Sequence, residues 1–297
     1  MNRLKEIGSW SWNLVACGGA MTFGVMVGAS VATALGLELP VVPNDGGGEP
    51  GLVPLLASGI ALSGGLAAMN AGMSGRRIER FLVLALFAVA INGLGNLLEA
   101  SIFSTLGGEL AILSIRLSST LLCAAAVVLL FQRPSGAESA VRWSRWARTR
   151  APSGLAARFG IALVAFPLIY LTVGVAIAPI VTPYYEKLEL LVIPPLGTLI
   201  AVLSVRSLLL LLGSLPVIVA WSGSRRGLVL SLGLGHFVAV GMADLIQASF
   251  FPAVLRWVHG TEILVDSICY ALVLSFLFLP PPKPADEATP ILQQQTA

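Results

Sequence analysis

The chain has 297 residues, of which 56% are hydrophobic and 11% charged, with a formal net charge of +3. Roughly 25% of an average soluble protein is charged, so too little polar surface is present to cover a soluble core of this size. Several apolar runs reach the ~20 residues a helix needs to cross a bilayer, whereas the ~10-residue alternating segments of a membrane barrel are missing. The composition therefore predicts an all-α, polytopic integral membrane protein. No soluble domain is left over to bind nucleic acid.

In chain order, eight spans are expected at about 11–37, 52–73, 81–106, 110–131, 159–181, 193–220, 228–252 and 260–280. The stretch LVAC at 14–17 has the local look of a lipoprotein cleavage box. The apolar run before it is short, is broken by Ser and Asn, and continues past Cys17, so an uncleaved first span is the reading. Cys17, Cys123 and Cys269 lie in or beside apolar runs without metal-ligand spacing and read as small core residues. LSGGLAAMNAG at 62–72 fits close helix packing through small residues. The sixth span carries Pro194, Pro195 and Pro216, which predict a tilt or kink.

Between the fourth and fifth spans lies a basic linker, 132–158, that contains ESAVRWSRWARTR. As a helix it would set Trp143 and Trp146 beside an arginine-bearing face, a composition suited to an anionic membrane surface. A plain topogenic loop explains the same residues. The Pro-rich polar tail, 281–297, is expected to be disordered. Arg3, Lys5, Arg76, Arg77, Arg80, the linker arginines, Arg225, Arg226 and Lys283 all fall on one side if the spans alternate. That bias predicts a cytoplasmic (inner) membrane location with both termini in the cytoplasm.

NLLEASIF at 96–103 recurs as DLIQASFF at 244–251, an offset of 148 residues. The same ungapped offset carries Gly93 to Gly241 and SGRR at 74–77 to SGSR at 222–225. An arginine-bearing loop and a polar helix motif thus agree on one offset. The expectation is two four-helix repeats, 1–131 and 159–280, parallel in topology and related by a pseudo-two-fold axis along the membrane normal.

Polar residues inside the spans mark the candidate site, because an unpaired polar group in hydrocarbon costs several kcal/mol. Asn92, Asn96 and Glu99 share one face of span 3, and His236, Asp244 and Gln247 form a similar stripe on span 7. His259, Glu262, Asp266 and Tyr270 line one face of span 8. Spans 3 and 4 turn near 107–108, which sets Glu99 level with Arg116 and predicts an ion pair across that hairpin. In the second half Asp244 is level with Asp266, and Arg206 reaches the same depth. Counted at ~1.5 Å per residue, Glu99 and Asp244 lie about 24–27 Å from the cytoplasmic ends, in the outer leaflet of a ~30 Å core.

Three functions remain open on these residues. The first is a secondary transporter or ion-coupled permease with its site at Asn96, Glu99, Arg116, Arg206, Asp244, Gln247, His259, Glu262 and Asp266, taking a proton, small ion or small molecule. The second is a membrane-embedded enzyme acting on a lipid or isoprenoid, with His259, Glu262 and Asp266 as acid–base groups. The third is a non-catalytic assembly or sensory subunit whose charges only fix helix pairing. A metal centre is not expected. His259 to Asp266 spans two turns, about 10 Å, and HGTEILVD is not HExxH. No cofactor motif is present, and the bilayer is the one certain partner.

Overall fold

A computed structural model describes residues 2–40, 51–104, 107–132, 143–144, 146, 148, 151–187 and 191–279. The tail expected to be disordered and most of the basic linker lie outside these. Among the described residues eight helices are long and apolar enough to cross a membrane, and no strand is present. They are α1 (Asn2–Ala34), α2 (Leu52–Gly72), α3 (Arg77–Phe103), α4 (Glu109–Leu130), α5 (Pro152–Tyr185), α6 (Leu196–Ala220), α7 (Arg225–Gln247) and α8 (Ala253–Phe278). Large apolar side chains stand bare on the outside, with Trp257 at 78%, Val175 at 74% and Leu230 at 72% exposure. In water such a surface would aggregate; by length, composition and surface the chain has the character of a multi-pass membrane protein.

The helix ends follow local chemistry. Ser224 caps α7, its hydroxyl accepting from the Gly227 N–H at 3.1 Å. Glu79 returns to the Arg76 N–H at 2.8 Å at the start of α3. The α3–α4 turn falls at Gly107 and Gly108, both left-handed at φ 65° and 69°, where only glycine is at ease. α5 begins at Pro152 rather than 159, since proline is tolerated in a first helical turn. The SGRR and SGSR loops bond each other reciprocally. Ser74 N–H donates to Ala220 O at 3.0 Å, and Ser222 N–H donates to Gly72 O at 2.9 Å. Between them Met73 and Trp221 form an isolated antiparallel bridge.

Two helices depart from the α form at matching places. α3 has a π-helical segment at Val89–Gly95, and α7 has one at Val238–Met242. A wide turn leaves backbone carbonyls short of partners and open to side chains, and the site makes use of them.

α1 packs on α4 through Gly24 and Gly28, a spacing that lets backbones meet. A Cβ at Gly28 would lie 2.4 Å from Ile115 Cα, and one at Gly24 would lie 2.5 Å from Ser119 Cα. Gly28→Ala is therefore expected to cost about 1–3 kcal/mol through overpacking, whereas Gly19→Ala, with nothing within 4 Å, meets no clash and is expected to be neutral or slightly stabilising. Thermal unfolding in detergent distinguishes the two. In LSGGLAAMNAG, Gly65 meets Gly235 and Gly72 meets the Trp221 ring, but Gly64 faces open space.

Trp146, in the basic linker, packs against the end of α8. It is 8% exposed, its indole N–H donates to Phe278 O at 3.1 Å, and its ring packs on Phe278.

Candidate functional site

All nine residues expected in the site line one cavity of about 460 Å³. Its walls come from α3, α4, α5, α6, α7 and α8. Pro40, Ser104, Leu191 and Ser249, from loops at the end away from the arginine-bearing turns, rim its mouth. His236, Ser267 and Tyr270 form its floor. Beneath the floor Met69, Leu84 and Phe87 are fully buried. The rim is tied where Ser104 pairs with Leu191 and the Val192 N–H donates to Phe103 O at 2.9 Å.

The ion pairing differs from expectation. Arg116 does not pair with Glu99; it grips Asp244 with both guanidinium nitrogens, at 3.2 Å to Oδ1 and 3.0 Å to Oδ2. Glu99 pairs instead with Arg206 at 2.6 Å. Arg206 is thereby paired with Glu99 rather than with Asp244. Depth along a hairpin fixes height but not direction. Asn96 and Glu99 are about 60° apart around an α-helix, so when Asn96 faces α7, Glu99 turns towards α6. Asn96 Nδ2 donates to Asp244 Oδ2 at 2.8 Å, which seats Asp244 between Asn96 and Arg116.

The π-helical segments complete both pairs. Asn92 and Asn96 each donate to Ala239 O at 3.0 Å. Arg116 also donates to Asn92 O at 3.2 Å, and Arg206 to Val240 O at 3.3 Å. Each guanidinium thus has a carboxylate and a carbonyl freed by a wide turn, the shared satisfaction that a buried charge requires. Arg206 is the more buried, its side chain 4% exposed against 21% for Arg116, and it also lies 6.0 Å from the Phe166 ring centroid.

On the far wall Gln247 donates to Ser58 Oγ at 2.9 Å. Ser58 and Gln247 stand 148 residues from Arg206 and Glu99 respectively. A charged pair on one side therefore answers a neutral pair on the other. Ser58 was missed by sequence reasoning, although the offset applied to Arg206 points to it.

The α8 face forms a column down the cavity. His259 Nδ1 and Glu262 Oε2 are 2.7 Å apart near the mouth, and the His259 ring packs against Tyr185. One turn deeper Asp266, 5% exposed, has no hydrogen-bond partner at Oδ1. His236 is a bonded core histidine. Its Nε2 lies 2.7 Å from Ser214 Oγ, and its ring stacks on Phe87. Tyr170, Tyr185 and Phe166, all from α5, were not anticipated, because an aromatic in an apolar span carries no signal of which way it faces.

Among the described residues no group of three or more His, Cys, Asp or Glu side chains is placed to hold a metal ion. Fold and site together define a class: an eight-helix membrane-type bundle with a charged cavity among its helices. Compared with protein families, curated proteins and solved structures, the chain matches none of them.

Proposed function

We propose that the protein is an ion-coupled permease of the cell membrane, in which two parallel four-helix repeats enclose one site for substrate and coupling ion. The observation that carries this reading is the crossing of the ion pairs. Glu99 on α3 pairs with Arg206 on α6, and Asp244 on α7 pairs with Arg116 on α4. Both pairs therefore tie 1–131 to 159–280 across the cavity, at the interface that must shift when halves rock around a fixed site.

The repeat itself is supported by contacts that exchange under the 148-residue offset. Ser74 with Ala220 answers Ser222 with Gly72, and Glu99 with Arg206 answers Gln247 with Ser58. In an isologous pairing, residue i meets j and j meets i. The bridge between Met73 and Trp221 pairs a residue with its own equivalent, as an axis through them requires.

Depth also favours transport. His236, at the floor, lies eight residues and about 12 Å below Asp244, so the cavity extends from the outer leaflet to the midplane, where transport sites are built. The basic loops belong on the cytoplasmic side with both termini, and the cavity opens outward. Dyes for pH, Na⁺ and K⁺ enclosed in proteoliposomes test the reading. Asp244→Asn and Glu262→Gln are expected to abolish coupled flux while the purified protein stays monodisperse. If both variants fold and the flux of every ion tested is unchanged, the permease reading fails.

One observation favours the enzyme reading, the 2.7 Å contact of His259 with Glu262 at the mouth, an acid–base pair at the level of outer-leaflet headgroups. Turnover of a labelled lipid that vanishes in His259→Ala, with no ion flux in the parent protein, would replace transport by catalysis.

A further inference from the structure

The cavity is unbalanced in charge. Four carboxylates line it, Glu99, Asp244, Glu262 and Asp266, against two guanidiniums. Both guanidiniums are committed, Arg206 to Glu99 and Arg116 to Asp244. Glu262 takes the His259 imidazole, and the other imidazole of the lining, His236, is bonded to Ser214, so no guanidinium or imidazole among the described residues bonds Asp266. The charged groups facing Asp266 are Glu262 on its own helix, with Glu99 and Arg206 across the cavity. Arg206 already points at Glu99 and at Val240 O. Asp266 Oδ1 and the adjacent Ser267 Oγ have no partner, although both residues are at least nine-tenths buried and line the cavity.

Ligand chemistry follows from that imbalance. An anion would enter a field with excess negative charge, and a neutral apolar ligand would seal Asp266 away from water without a partner, which is costly. A cation meets both conditions. Its size is set by the walls. Seven of the thirty lining residues are Phe or Tyr, whereas aromatics form 7% of the chain. A bare inorganic cation needs several converging oxygens, while aromatic faces suit a large, weakly hydrated one. A volume of about 460 Å³ falls within the range of small-molecule sites, roughly 300–1,000 Å³.

We propose that the cavity takes an amphipathic organic cation, an ammonium or onium group on an apolar body, with Asp266 as its charge anchor and Tyr170 and Tyr185 against its body. The inference rests on the cavity being the substrate site of the permease described above, and names what that site accepts.

Tetraphenylphosphonium and tetraphenylborate, ions of nearly the same shape and opposite charge, test it by equilibrium dialysis against the purified full chain in detergent. Saturable phosphonium binding is expected, with borate weaker by at least about tenfold. Asp266→Asn is expected to weaken phosphonium binding by about the same factor, and Trp257→Ala, on the outer surface, to leave it unchanged. Borate binding as tightly as phosphonium overturns the proposal, as does undiminished binding in Asp266→Asn. The comparison of the two ions needs no variant, so it stands even if Asp266→Asn fails to fold. Phosphonium binding without flux in proteoliposomes removes the permease and keeps the ligand class. Ion flux without phosphonium binding does the reverse.

Discussion

Glu99→Gln is expected to destabilise the protein by about 3–5 kcal/mol, the cost of breaking a buried ion pair from one side. The group left behind is Arg206, whose side chain is 4% exposed and which keeps Val240 O, the Phe166 ring and, beyond ion-pair distance, the Asp266 carboxylate. A neutral amide cannot offset a guanidinium in so little water. The double variant Glu99→Gln with Arg206→Ser is expected to recover most of the loss, because the same protein already holds a glutamine–serine bond at Gln247 and Ser58. Thermal unfolding of the single and double variants reads the coupling between the two positions. If the double variant is less stable than Glu99→Gln alone, the two pairs are not interchangeable and the reciprocal architecture loses its energetic support.

The second large effect is expected at Arg116. Its two nitrogens take both oxygens of Asp244 while a third donor arrives from Asn96. Lysine brings the charge but not the fork, so Arg116→Lys is expected to lose one of the two bonds to Asp244 and the bond to Asn92 O. The loss is about 1–3 kcal/mol, the range for hydrogen bonds to charged groups, and it lies towards the lower end because this pair is partly exposed. Glu99→Gln is therefore the more damaging change in the same assay. The reverse order would mean that burial does not rank the two pairs.

The spans were legible because length and apolarity decide them, and so were the charged residues that line the cavity, because a charge inside a span is conspicuous. Their pairing was not. Glu99 and Arg116 share a depth, but partner choice depends on rotation about each helix axis, and the π-helical segments at Val89–Gly95 and Val238–Met242 alter that rotation. Nothing in the glycine-containing runs VAINGLG and VAVGM announces a wide turn. Gly24 and Gly28 were passed over for the more conspicuous LSGGLAAMNAG, although the spacing of a close helix contact was present in GVMVG. The cavity's aromatic wall was hidden for a related reason, since α5 is apolar all round and mostly faces outward.

On the permease reading, water reaches the charged cluster from the end opposite the basic loops. Ala100, beside Glu99 on the cavity wall and half-buried, reports on it directly. Ala100→Cys, in a chain whose Cys17, Cys123 and Cys269 are replaced by serine, is treated with a membrane-impermeant cationic methanethiosulfonate in sealed vesicles of known orientation. Modification from the face opposite the arginine-bearing loops, slowed by tetraphenylphosphonium, is the predicted result. A thiol that reacts from neither face, or only from the basic one, would contradict it.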